Sequence, residues 1–146
     1  MNKNNVYEQA DLEAKPYAEL YDIIFGADGW IPINKAMMKK LGLEASILYG
    51  ELLNKYRWYF DNKRLNQYGE FYSTVKEIEA DTTLNKRNQK KAIEILVAEG
   101  LIEVHNRVPP GRQRATRHFK VILNPAKLRK SIYELKKEDT YQTASI

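Results

Sequence analysis

Cysteine is absent from all 146 residues, which removes disulfide frameworks and thiolate metal sites and fits a reducing cytosol. Histidine is nearly absent too. His105 and His118 are the only two, and both fall on a predicted hairpin, where packing or secondary phosphate contact suits them better than catalysis. No apolar stretch approaches the length of a membrane span. The opening MNKNNVYEQADLEAKPY has no apolar run after its lysine, so it does not read as a signal peptide. The chain contains no GxxxxGK(S/T) loop, HExxH helix or nucleophile elbow. Glu77 and Glu79 could pose as paired carboxylates, but a helix cap explains the first and ordinary helix surface the second. These absences predict a cytoplasmic protein that is not an enzyme, holds no cofactor or metal and has no membrane partner.

What is present is a soluble-protein composition, 43% hydrophobic and 29% charged, with a charge that is not spread evenly. Between Lys86 and Lys120 nine basic residues face three acids, giving +6, while the remainder holds 15 basic and 16 acidic residues, or −1. All of the net +5 therefore comes from one segment, the footprint expected of a polyanion site.

Periodicity and cap chemistry order the elements. A short helix is expected over 11–25, with Pro16 near its start, where proline is tolerated. Trp30–Asn34 reads as extended. Residues 43–60 form the strongest helix, with Ala45, Leu48, Leu52 and Tyr56 on one stripe. Glu70–Ser73 alternates like a short strand. Thr74-x-x-Glu77 is a capping box opening a short helix over 75–80. Asp81–Thr83 is turn chemistry, Leu84 a buried peg and Asn85 an N-cap. The next helix, 86–99, buries Ala92, Ile93, Leu96 and Val97 and stops at Gly100. Strands are expected over 101–108 and 117–123, joined by a basic loop. Asn124 and Pro125 open a last helix, with Leu128, Ile132 and Leu135 on a narrow apolar stripe.

Helix, strand, helix, turn, helix, strand, loop, strand is the order of a winged helix-turn-helix. The predicted fold class is mainly α with a small antiparallel sheet (α+β), in three segments: an N-terminal segment at 1–29, a winged-helix domain at 30–123, and a C-terminal helix and tail at 124–146. In such a fold the helix at 86–99 enters the major groove of double-stranded DNA with its N-terminal turns. Those turns carry Asn85, Lys86, Arg87, Asn88, Gln89, Lys90 and Lys91. Lysine and arginine suit phosphates and guanine edges, asparagine and glutamine adenine edges. The macrodipole disfavours positive charge at a helix N-terminus, so this placement calls for an external anion. Arg107, Arg112, Arg114 and Arg117 extend the expected contact over the wing, along a backbone or into a minor groove. Leu128, Ile132 and Leu135 are expected to join two copies as a homodimer.

FYSTVKEIEADTTLNKRNQKKAIEILVAEGLIEV, with WIPINKAMMKKLGLEASILYGELLNKY before it, resembles the winged-helix segment of phage and plasmid replication initiators and DnaD-like replisome organisers of Gram-positive bacteria. The likeness runs from about Trp30 to Ile122. It implies a DNA-binding role in replication initiation, with replication proteins as further partners. The residues leave two alternatives open: a transcriptional regulator with the same binding mode, and a winged-helix protein-interaction module.

Overall fold

The computed structural model describes the backbone of residues 3–134 and the side chains of residues 14–134. It divides into two compact units, Met1–Ile31 and Pro32–Ile146.

The first unit is one helix and the turn after it. Helix α1 spans Lys3–Ile24 and contains Pro16. It begins eight residues earlier than the sequence suggests, because the polar stretch through Glu8, Gln9 and Ala10 is made of helix formers that carry no apolar period. Pro16 is thus interior, where it donates no bond to the preceding turn. Tyr17, Tyr21, Phe25 and Trp30 form a ladder of rings, with successive centroids 5.2, 5.7 and 5.4 Å apart.

The second unit is built by its caps. Asn34 Oδ1 accepts from the Met37 amide at 2.9 Å and opens α2, Lys35–Leu41. Gly42, at φ 91°, ends it and separates it from α3, Leu43–Asp61. Sequence periodicity misses α2, because seven residues are too few to show a period. Met37 and Leu41, four residues apart, are nevertheless buried on one face of it. On α3 the expected stripe faces inward: Ala45, Leu48 and Leu52 are buried and Tyr56 packs at the margin.

Strand β1 is Phe71–Tyr72. The Thr74–Glu77 capping box then opens α4, Val75–Thr82, with both of its reciprocal bonds formed. This helix takes in Asp81 and Thr82, which the sequence assigns to a turn, and ends at Thr83 in the left-handed region (φ 66°). Thr82 Oγ1 bonds back to Ile78 O and also receives the Leu84 amide, so one hydroxyl closes the helix and shapes the turn. Leu84 is buried as expected.

Helix α5 runs Lys86–Ala98 from its Asn85 cap. At its far end Leu101 N–H bonds Leu96 O and Gly100 N–H bonds Val97 O. That double bond pattern needs a left-handed residue at Gly100, whose φ is 70°. A Cβ there would also strike Lys127, whose side chain lies across the glycine.

Strands β2 (Ile102–Arg107) and β3 (Thr116–Val121) pair antiparallel, Ile102 opposite Val121 and Arg107 opposite Thr116. Phe71 pairs with Phe119, giving a three-stranded sheet in the order β1-β3-β2. Ile102, Phe119, Val121 and Phe71 bury one face of that sheet against the helices. The α+β class and the winged-helix-like element order expected from sequence are what the chain adopts.

Helix α6, Pro125–Tyr133, starts at Asn124 with proline in its first turn and lies against α2. Ile132 is buried in the core and Leu128 packs against it. Two of the three residues expected at a dimer contact are thus engaged by the chain itself, Ile132 fully and Leu128 in part. Leu135, the third, lies outside the described residues. Among the described residues no helix is long and apolar enough to cross a membrane.

Candidate nucleic-acid interface

The residues expected at the interface separate into two groups. In the first, Lys86, Arg87, Lys90 and Lys91 stand exposed on the opening turns of α5, and Arg112 and Arg114 are exposed on the loop between β2 and β3. Among the described residues none of these six side chains takes part in an ion pair. The buried side of the same helix is Gln89, Ala92 and Leu96. Core and cations thus occupy opposite sides of one cylinder, as a helix that packs and reads at once requires. Asn88 is partly exposed beside Arg87, and its backbone N–H donates to the Asn85 cap at 2.9 Å. Asn85 is exposed, but its Oδ1 is committed to that cap.

The second group departs from expectation. Gln89 suits DNA by residue type alone, yet the structure buries it completely. Its Nε2 donates to Val75 O at 2.9 Å and to Leu84 O at 2.8 Å, while its Oε1 accepts from Arg117 Nη2 at 3.2 Å. Two carbonyls and one guanidinium fix the amide's orientation, since only the NH2 end can donate and only the oxygen can accept. Gln89 therefore joins α4, the turn and α5, and has no atom free for a base. The reason is periodic: it falls three residues before Ala92 and seven before Leu96, on the core stripe.

Arg117 is half-buried. It reaches Ser73 O at 3.4 Å as well as Gln89, and its guanidinium lies 4.7 Å from the Phe119 ring centroid. Burial pushes its pKa down. Arg107 is tied more firmly. Its Nε and Nη2 meet the two oxygens of Glu70 at 2.5 and 2.7 Å, and its guanidinium lies 3.8 Å from the Tyr68 ring centroid. Glu70 is only 1% exposed, and burial alone would raise its pKa. The bidentate guanidinium, helped by the Asn66 amide, instead holds the carboxyl at about 2. The same bond raises the pKa of Arg107. Neither Arg107 nor Arg117 is a free cation for phosphate.

Sequence reasoning misses Glu70. It lies 37 positions from Arg107, and no local period or cap signals a pairing across that distance. The two histidines sit opposite each other on β2 and β3. His105 Nε2 lies 3.1 Å from Glu103, and the His118 ring packs at a tilt beside Tyr72. Both are engaged with neighbours on the sheet, in keeping with packing. Among the described residues no cluster of three or more His, Asp or Glu side chains could hold a metal.

No family model matches the chain, and no curated protein matches its sequence. Solved structures do match. One is described as the structure of a Rep–DNA complex, with a TM-score of 0.51, 15% identity, and 80% of this chain and 85% of that one covered. Another, an N-terminal domain of a DNA-binding protein, has the same TM-score and identity and covers 80% of this chain and 84% of its own. At this identity the likeness is one of fold.

Proposed function

We propose that this chain is a sequence-specific double-stranded DNA-binding protein of phage or plasmid type, acting in replication initiation. α5 lies in the major groove with Lys86, Arg87, Asn88, Lys90 and Lys91 at the DNA, and Arg112 and Arg114 follow the backbone or enter the minor groove beside it. One observation carries the reading: six exposed cations, with no carboxylate partner among the described residues, stand on the opening turns of a helix and on the adjoining hairpin loop. The four on α5 oppose the macrodipole, and a phosphate would turn that cost into a gain. The replication role draws support from the resemblance to initiators and from the fold shared with a protein solved as a Rep–DNA complex. The chain would then act in the cytoplasm, alongside other replication proteins.

A single winged helix covers a short half-site, so a homodimer on repeated half-sites completes the proposal. Its contact would lie elsewhere than Leu128 and Ile132, which the chain's own core engages.

Titrating the full chain against a random duplex over a range of salt tests the reading. With about four phosphates neutralised per subunit, log K should fall against log salt with a slope of roughly −3 to −5. A slope near zero would overturn duplex binding and leave the protein-interaction alternative standing.

A further inference from the structure

The loop between β2 and β3 is anchored at both its feet, where it leaves one strand and enters the other. Arg107 is the last residue of β2 and is held by Glu70, just before β1. Arg117, the second residue of β3, is held by Gln89 on α5. The second link is the one that crosses from wing to helix. Gln89 sits in the turn of α5 that also bears Lys86, Arg87 and Lys90, so the wing is referenced to the cationic turn itself. The link is buried at its helix end. The Arg117 backbone carbonyl also accepts from Ser73 N–H at 3.4 Å, which fixes the strand together with its side chain.

Resting on the duplex-binding reading above, we propose that Arg117, through Gln89, is a positioning residue. It sets where the wing stands relative to α5, and so which DNA geometry lets helix and wing engage together. Arg117 then governs sequence preference without touching DNA. A site is preferred when its groove width and bend place the backbone under the fixed wing at the same time as the bases under α5.

The test separates this role from a direct phosphate contact by comparing Arg117→Met and Arg117→Lys. Methionine keeps an apolar stem over Phe119 and loses the guanidinium. Lysine keeps the charge but has no planar fork to hold Ser73 O and Gln89 Oε1 together. The probes are random duplex and the duplex that wild-type full chain enriches from a randomised pool, each titrated across salt, with thermal melting to confirm folding. Both variants should lose preference for the enriched duplex by roughly 3- to 30-fold, while the salt slope on random duplex stays at its wild-type value. Lysine, which preserves charge and solubility, keeps the test open if the methionine variant fails to fold. If methionine lowers the slope by about one unit and lysine restores it, Arg117 is a phosphate contact and the proposal is overturned. Unchanged preference in folded variants overturns it as well. A wild-type slope near zero instead removes the duplex-binding reading, a separate failure visible before any variant is made.

Discussion

Arg107, Arg112, Arg114 and Arg117 belong to one hairpin within eleven residues, and they divide into two pairs. The inner two, at the loop, stand exposed and, among the described residues, without ion pairs. The outer two, at the feet, are held by a buried carboxylate and a buried amide. The residue type is the same and the chemistry is opposite. Arginine's fork is suited to either use, because it satisfies a bidentate acceptor in the protein as readily as one on a nucleic acid. Which use it takes depends on what lies across the sheet. At the feet, β1 and α5 bring acceptors within reach, while the loop extends beyond them. Counting positive charge therefore finds where the arginines cluster and overstates how many of them are available to a ligand.

The feet are most vulnerable at Gln89. Gln89→Ala would take one hydrogen-bond partner from each of the Val75 and Leu84 carbonyls and the Arg117 guanidinium and would open a cavity beside them. A loss of about 2–4 kcal/mol is expected, read from the shift in urea midpoint at constant slope. A loss within about half a kcal/mol, the usual range for a surface change, would mean that the feet are no better anchored than the tip.

The second anchor has an acid signature. The folded Glu70 carboxyl titrates near 2 in place of the ordinary 4.5. Its contribution to stability is therefore full above about pH 4.5 and is lost as pH falls toward 2. Arg107→Met removes the group that depresses the pKa and leaves a buried carboxyl, whose folded pKa then rises. Urea midpoints followed from neutral pH into acid should show this window flattened or reversed in the variant. An unchanged acid limb would mean that Glu70 is held by something other than Arg107. The exposed Arg112→Met should leave the profile as it is in the wild type.

Much of this division lies within reach of the sequence, and the part that does not has a common cause. Thr74 with Glu77, Asn85, Gly100 and Asn124 with Pro125 all mark element ends by local chemistry, and each end falls where its cap places it. Local signals suffice because a cap acts within four residues. The six cations that stand exposed and unpaired among the described residues are legible for the same reason: an exposed side chain depends on no distant partner. Gln89, Arg107 and Arg117 escape a sequence reading because their partners lie 14, 37 and 28 residues away. Gln89 alone carries a warning, since it continues the Ala92–Leu96 stripe, where a buried amide signals a network. Helix α2 escapes through brevity, and the early start of α1 through its lack of an apolar period.

On the side proposed to face DNA, α5 offers the next effect. Arg87→Ala should weaken binding to a preferred duplex by about 1–3 kcal/mol and relax the preference at one position. The residue is exposed and outside any ion pair among the described residues, so the variant's thermal melting should match the wild type. A variant with full affinity and unaltered preference would remove α5 as the reading element.

The smallest effect on the fold, and the one that isolates the exposed pair, belongs to Arg112→Ala/Arg114→Ala. Neither side chain touches the core or an acid among the described residues, so stability should stay within about ±0.5 kcal/mol. Binding should weaken alike on random and preferred duplexes, because phosphate contacts carry no sequence information directly. The salt slope should shrink in magnitude by roughly 1 to 2, about one unit for each phosphate no longer neutralised. Parallel titrations of wild type and double variant on both duplexes measure all of this in one experiment. A slope left intact would show that the wing tip is charged for a reason other than DNA, such as keeping a hairpin edge from pairing with another chain; a slope that shrinks only on the preferred duplex would make these arginines base readers in the minor groove instead.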